Sequence, residues 1–413
     1  MTSNGRESAL QRSAHVLEVR LGATLVGTIT ALGHESSVFT FDRTYLEDSA
    51  RPTLSLGFKG ADGQLVGDLR PTRVKLHPFF SNLLPEGHLR DYLAARGSVH
   101  PEREFFLLWL LGADLPGGVE VRGVDGSAPP PAEDLQDAPT NRGDLPLRFS
   151  LAGVQLKFSA VMETHRGLTL PVGGVGGDWI VKLPSPRFDA VPETEYALMT
   201  LAAAVGIDVP ETQLVPTAKI GGLPQDLPEA FGQALAVRRF DRPAIGRRIH
   251  MEDFAQVFNL YPDEKYKKAS YGNIARVLWL ETGEPGVTEF VKRLAFHALV
   301  GNADAHLKNW SLLYPDGRTP KLAPAYDLVG TVAYLSDDKL ALSLAGTKLF
   351  SDLDENRFRR FAEKAGLPVK LAVKTAKDTA QRIRDTWPTH EPVQLLPPKI
   401  RAAIEGHMSR VPL

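Results

Sequence analysis

The sequence predicts an α+β protein in two units, a small α+β unit followed by a larger one in which a β-rich lobe precedes a helical lobe. Three observations carry this. Alternating apolar and polar residues gather before residue 60 and again across about 147–245. Apolar residues at three- and four-residue spacing dominate from about 246 to the end. Between the units, residues 123–146, GVDGSAPPPAEDLQDAPTNRGDLP, are rich in Pro, Gly, Asp and Ala without periodicity, the composition of a linker.

In the first unit, taken as 1–122, HVLEVRLGATLVGTIT (15–30) alternates around a glycine turn and reads as a hairpin. VFTFDRTYL (38–46) and TLSLGF (53–58) look like further strands. FFSNLLPEGHLRDYLAARG (79–97) is helical and ends on a glycine, and PEREFFLLWLLG (101–112) begins with proline and acids, as a helix start should. In the second unit, taken as 147–413, FSLAGVQLKFSAVM (149–162) is strand-like and PVGGVGGDWIVKLP (171–184) is glycine-rich. TEYALMTLAAAV (194–205) makes a helix with Thr194 as its expected cap and Gly206 as its stop. QALAVRRFDRP (233–243) reads as a strand running into a polar connection. MEDFAQVFNL (251–260), YGNIARVLWLE (271–281), VTEFVKRLAFHALVG (287–301) and DENRFRRFAEKAG (354–366) read as separate helices.

Composition excludes some functions. With 43% hydrophobic and 23% charged residues among 413, the chain is ordinary for a globular protein. A formal net charge of −1 supplies no global field for polyanions, so direct nucleic-acid binding finds no support there. Cysteine is absent, which rules out disulfides, thiolate metal sites and cysteine nucleophiles. The opening residues lack an apolar signal region, and FFLLWLLGA (105–113) is too short to span a bilayer, so a cytoplasmic location is expected, with no membrane partner.

Lys182 closes the apolar stretch WIVKLP. A lysine there either projects into a cleft and neutralises phosphate oxygens, or lays its stem on the surface and reaches water. Glu195 follows in the first turn of the next helix, where a strand-to-helix return brings it back to Lys182. Kinases fix a phosphate-binding lysine in this way, although an acid in a first turn also complements the helix dipole. SLAGVQLKF (150–158) is either a phosphate-covering turn, with Gly153 admitting backbone amides, or an ordinary hairpin; no Walker A pattern is present.

The most informative stretch is GNADAHLKNWSLLYPDGRTPKLAPAYDLVG (301–330). Asp304 and Asn309 have the separation of the Asp and Asn in the kinase pattern HRDxxxxN, where the acid accepts a substrate hydroxyl proton and the amide holds Mg²⁺. Asp327 follows as a second hard-oxygen ligand. The alternative has Asp304 capping a helix and Asn309 in a turn. His297 and His306 lack an HExxH context and read as structural. The arginine run at 238–248 reads as a solvated connection, with a polyanion-facing patch as the alternative.

With these residues assembled, the chain resembles the HipA family of serine/threonine kinases, the toxin members of HipBA-type toxin–antitoxin pairs. Toward the N-terminus VGTI, FTFDRTYL, FFSNLLPEG and GADLPGG carry the likeness; beyond it SLAGVQLKF, WIVKLP, PETEYALMTLA, VRRFDRP, GNADAHLKNWSLLY and APAYDLVG follow in family order. The resemblance implies a two-lobed kinase-like fold that uses ATP and Mg²⁺. Asp304 would be the general base, and Asn309 and Asp327 would coordinate the metal. Lys182 would contact the phosphates, braced by Glu195. Ala152, Gly153, Val154, Gln155, Leu156 and Lys157 would cover the nucleotide. Arg238, Arg239 and Phe240 would pass the adenine, while His306, Leu307, Lys308, Asn309 and Tyr326 would line the site. Ser150 falls where family kinases autophosphorylate and switch themselves off. Two positions depart from the family pattern: Arg238 and Leu156 each stand where an acid is more usual. The implied substrate is an aminoacyl-tRNA synthetase, and the implied partner a HipB-like helix-turn-helix antitoxin through which DNA is reached indirectly. The alternative is a pseudokinase that works as an antitoxin-binding co-repressor.

Overall fold

The computed structural model describes residues 15–33, 35–60, 62–124, 157–163, 167–170, 176–223, 232–244, 246–335 and 339–413. Ser150, Ala152 to Leu156 and all of the expected linker after Val124 lie outside the described residues.

The first hairpin forms as its alternation dictates: β1 (Val16–Leu21) and β2 (Thr24–Leu32) turn at Gly22, whose φ of 57° favours glycine. β3 (Ser36–Phe41) follows, then α1 (Arg43–Glu47), whose cap Asp42 accepts the amides of Thr44 and Tyr45. Next come β4 (Thr72–Arg73), α2 (Pro78–Ser81), α3 (Gly87–Arg96), α4 (Glu104–Leu111) and β5 (Val119–Gly123). The strands make one antiparallel sheet in the order β4-β3-β2-β1-β5. Its inward residues, Leu17, Val19, Phe39 and Phe41 among them, pack with Leu107 and Leu108 of α4. Each such burial contributes about 1.5–3 kcal/mol.

Three expectations fail here. VFTFDRTYL is a strand only as far as Phe41, because the Asp42 side chain caps α1 and starts a helix at Arg43. The helix read across 79–97 is split, because Pro85 has no amide to give and Glu86 takes the cap position of α3. TLSLGF is not a strand: Leu56–Phe58 form a 3₁₀ turn. The Ser55 hydroxyl and the Leu56 amide donate instead to Glu252 of the second unit, at 2.5 and 3.0 Å.

The second antiparallel sheet, order β7-β6-β8-β10-β9, comprises β6 (Lys157–Glu163), β7 (Gly167–Thr169), β8 (Trp179–Lys182), β9 (Thr212–Pro216) and β10 (Gln233–Arg238). α5 (Val191–Ala204), between β8 and β9 in sequence, lays Ala197, Leu198, Leu201 and Ala202 into the core. It begins before Thr194, whose hydroxyl donates to the Ala190 carbonyl at 2.7 Å, so that residue lies inside the first turn and does not cap the helix. Gly206, at φ 85°, follows its end as expected.

The remaining chain is mainly helical. β11 (His250–Asp253) takes residues expected to be helical because they pair with β12 (Ser311–Tyr314); Asp253 then caps the single turn α6 (Phe254–Val257). The two helices read between 271 and 301 form on either side of a break at Gly283, with φ 66° and ψ −155° ahead of Pro285, and are labelled together α7 (Tyr271–Val300). β13 (Lys321–Leu322), β14 (Lys339–Leu344) and β15 (Thr347–Leu349) precede α8 (Glu355–Ala365), α9 (Val369–Thr386), α10 (Glu391–Gln394) and α11 (Pro398–Met408). Phe290, Phe296, Trp310, Phe358, Phe361, Ile383 and Ile404 belong to one large core around α7. Among the described residues no helix is long and apolar enough to cross a membrane.

Candidate active site

Antiparallel pairing sets Lys182 at the end of β8, opposite Lys157 of β6 and Leu235 of β10. Its ammonium group lies 2.5 Å from Glu195 of α5 and also bonds Asp327. The lysine is therefore buried between two carboxylates rather than reaching for water. Burial opposes its charge, but Asp327 and Glu195 outweigh that penalty and raise its pKa. Burial likewise opposes ionisation of Asp327, and Lys182 with Lys157 reverses the effect, holding this carboxyl well below the usual range. For Glu195 burial prevails over Lys182 and lifts the pKa. Asp327 is also a non-glycine residue at φ 55°, a local strain of the kind that clusters at functional sites.

α7 ends at Gly301 with φ 66°, where a Cβ would approach Val332 to 2.5 Å. Asn302 follows, fully buried, with three roles. Its Oδ1 accepts the Asp304 amide at 2.9 Å, its Nδ2 donates to the Asp327 carbonyl at 3.2 Å, and the same Nδ2 lies 3.1 Å from His297 Nδ1. One amide side chain thus joins the loop carrying Asp304 to the loop carrying Asp327. The Asp304 carboxylate accepts the hydroxyl of Tyr266, and its carbonyl accepts Asn309 Nδ2 at 2.8 Å. His306 packs edge-on to Tyr266, its Nε2 4.0 Å from Asp304. Burial first, then Lys265, lowers its pKa to about 3, so the ring is neutral.

The other expected residues disperse. Phe240 and Tyr326 bring their rings to 5.8 Å, and the Tyr326 hydroxyl donates to the Lys308 carbonyl and shares a bond with Ser311. The Arg238 and Arg239 amides already donate to the carbonyls of Glu211 and Asp178. Arg238 sends its guanidinium over Trp179, 5.9 Å from the ring centre. Leu307 is buried, and the Lys308 side chain points to the first unit, bonding the Asn82 carbonyl at 3.0 Å and Glu86 at 2.9 Å. The arginine run is the solvated connection expected only in part: Arg247 is exposed, but Arg239 and Arg242 are buried in ion pairs with Asp241 and with Asp114 of the first unit. Buried acids compensate those charges, so they present no polyanion patch.

The donor set fits Mg²⁺ and nucleotide phosphate. Asp327 supplies an ionised carboxylate, and Asn309, with its Nδ2 engaged, supplies an amide oxygen. Among the described residues no three His, Cys, Asp or Glu side chains form a metal cage, so a cation here would need phosphate and water oxygens as well. The sequence reading missed Asn302, Tyr266, Lys265 and Glu86. Asn302 stood within the quoted motif, directly after the helix-ending glycine; the others are distant in sequence and no spacing rule links them to Asp304.

Known proteins resemble this chain over nearly its whole length. Residues 17–122 match the HipA N-terminal domain and residues 149–387 the HipA-like C-terminal domain. A Sinorhizobium fredii protein named "Putative kinase Y4dM" is 49% identical, covering 96% of this chain and 97% of its own. The serine/threonine-protein kinase toxin HipA of Shewanella oneidensis is 25% identical, covering 92% of this chain and 90% of its own. The solved complex of S. oneidensis HipA, HipB and operator DNA contains a chain that superposes with a TM-score of 0.74 at 22% identity, over 96% of each chain, which establishes the shared fold. The chain belongs to the HipA family and has its kinase-like α+β fold.

Proposed function

We propose that this HipA-family chain is an ATP- and Mg²⁺-dependent serine/threonine protein kinase, with residues 1–122 as its N-terminal domain, 123–146 as linker and 147–413 as kinase domain. The observation that carries it is the convergence of Lys182, Glu195 and Asp327 beside a loop in which Asn302 ties Asp304 to Asp327. In this reading Lys182 neutralises phosphate oxygens and Glu195 fixes its position. Asn309 and Asp327 hold Mg²⁺, which when bound neutralises charge developing on the transferred phosphoryl group. Asp304 accepts the proton of a serine hydroxyl as that oxygen attacks the γ-phosphorus. The bond to the β-phosphate oxygen breaks and ADP leaves. Positioning and charge supply most of the rate. Ala152 to Lys157 cover the nucleotide, and backbone carbonyls near Arg238 and Phe240 meet the adenine, so the replacement of an acid by Arg238 leaves that contact intact.

The family supports an aminoacyl-tRNA synthetase as substrate, Ser150 as the autophosphorylated off-switch, and a HipB-like antitoxin as partner, the last because the S. oneidensis relative is seen with HipB and its operator. The test is phosphosite mapping by mass spectrometry in cells expressing the wild type or Asp304→Asn. Phosphate on Ser150 and on a synthetase with the wild type alone is expected. Identical phosphosite patterns from both proteins would contradict the proposal.

A further inference from the structure

Glu86 occupies the cap position of α3 yet makes no side-chain bond to that helix. Its carboxylate crosses to the kinase domain instead, with Oε2 2.7 Å from Lys265 Nζ and Oε1 2.9 Å from Lys308 Nζ. Both lysines are largely buried, with side chains 10% and 15% exposed, so these pairs lie in a less screened setting than surface ion pairs. Burial opposes the negative charge on Glu86, and Lys308 and Lys265 overcome it, holding the carboxyl far below its usual range.

Each lysine adjoins a bond that orients Asp304. Lys265 precedes Tyr266, whose hydroxyl donates to the Asp304 carboxylate, and the Lys265 carbonyl accepts the Leu307 amide at 3.3 Å. Lys308 precedes Asn309, whose Nδ2 donates to the Asp304 carbonyl. Lys308 also donates to the Asn82 carbonyl, while Asn82 Nδ2 donates to the Leu260 carbonyl at 2.7 Å. One carboxylate of the N-terminal domain therefore grips, at one residue's remove, both segments that hold the proposed base.

We infer that Glu86 is a positioning residue for phosphoryl transfer, fixing the Asp304 loop through Lys265 and Lys308. The inference rests on the kinase reading above. It makes the N-terminal domain part of the catalytic apparatus rather than an appended module.

The test uses the full-length protein with Glu86→Gln, which keeps the shape and removes the charge, together with Lys308→Met and the double variant. Hydrogen exchange in the presence of Mg-ATP is expected to quicken about tenfold across residues 304–309 in Glu86→Gln and to stay unchanged in α9. The kcat should fall about tenfold or more while KM for ATP stays within about twofold, because a loosened base lowers turnover without removing a nucleotide contact. The double variant should lose little more than Glu86→Gln alone, which already releases both lysines, as partners in one network do. Wild-type exchange and wild-type kcat in Glu86→Gln would overturn the inference while leaving the kinase reading intact. A uniform rise in exchange with a lowered melting temperature and unchanged kcat would also overturn it, marking the pairs as merely structural. Absence of transfer by the wild type itself would overturn the kinase reading.

Discussion

Lys182 shows how much one residue's neighbours decide. The stretch WIVKLP around it was compatible with a snorkelling surface lysine, and only the fold supplies the two carboxylates that bury it. Lys182→Met leaves Glu195 and Asp327 facing each other without their cation. The expected result is a loss of about 3–5 kcal/mol in unfolding free energy, read by denaturant titration, together with lost phosphate transfer. Asn302 makes the complementary case. Asn302→Ala removes the acceptor of the Asp304 amide and the bond to the Asp327 carbonyl. About 1–3 kcal/mol of stability should go with it, and turnover should fall in the same variant because the two loops lose their shared tie. The spacing of Asp304 and Asn309 was legible in the sequence, since it is local. The Tyr266 hydroxyl on Asp304 was not, because it arrives from a loop ahead of α7.

At the scale of elements, sequence patterns succeeded where local physics governs and failed where another element competed. The hairpin of β1 and β2 and the helix α8 form as read, α8 with Asp354 as its cap and Gly366 after its end. TLSLGF has the alternation of a strand, yet Ser55 and Leu56 spend their donors on Glu252. MEDFAQ has helical spacing, yet Met251–Asp253 pair with β12. In both cases long-range hydrogen bonding overrode local preference, and no window of neighbouring residues contains that information. The kink in α7 is a case where the local signal holds: Gly283, at φ 66° and ψ −155°, and Pro285 mark the break between two helices, as their residue types announce. Gly301→Ala, at a left-handed position crowded by Val332, should cost more than the same change at Gly246, where φ is 74° but the Cβ meets nothing within 4 Å. Comparing the two melting temperatures separates crowding from backbone strain.

At the scale of the molecule, the N-terminal domain is joined to the HipA-like C-terminal domain by buried polar groups. Glu252, 1% exposed, receives Ser55, Leu56 and Tyr314, and burial outweighs these bonds and pushes its carboxyl up to about 7. Because the folded value exceeds the unfolded one of 4.5, the native state holds the proton more tightly. Stability from this group is present below about 4.5 and is lost as pH rises toward about 7. His250 and His297 act oppositely, since burial lowers them to about 4 and about 3, so their neutral forms support the fold above 6.5 and cost stability as pH falls. Glu252→Gln should therefore gain on the wild type by up to about 3 kcal/mol between pH 5 and pH 8 in denaturant midpoints. A pH-independent difference would remove Glu252 as the titrating group. The central claim, that these loops transfer phosphate, is tested most directly with purified protein, labelled ATP and Mg²⁺ beside Asp304→Asn, with nucleotide binding measured on both by calorimetry. The account predicts that both bind Mg-ATP comparably and that labelling falls about a hundredfold or more in Asp304→Asn; equal labelling of the two proteins, or none by a wild type that binds Mg-ATP, would contradict it.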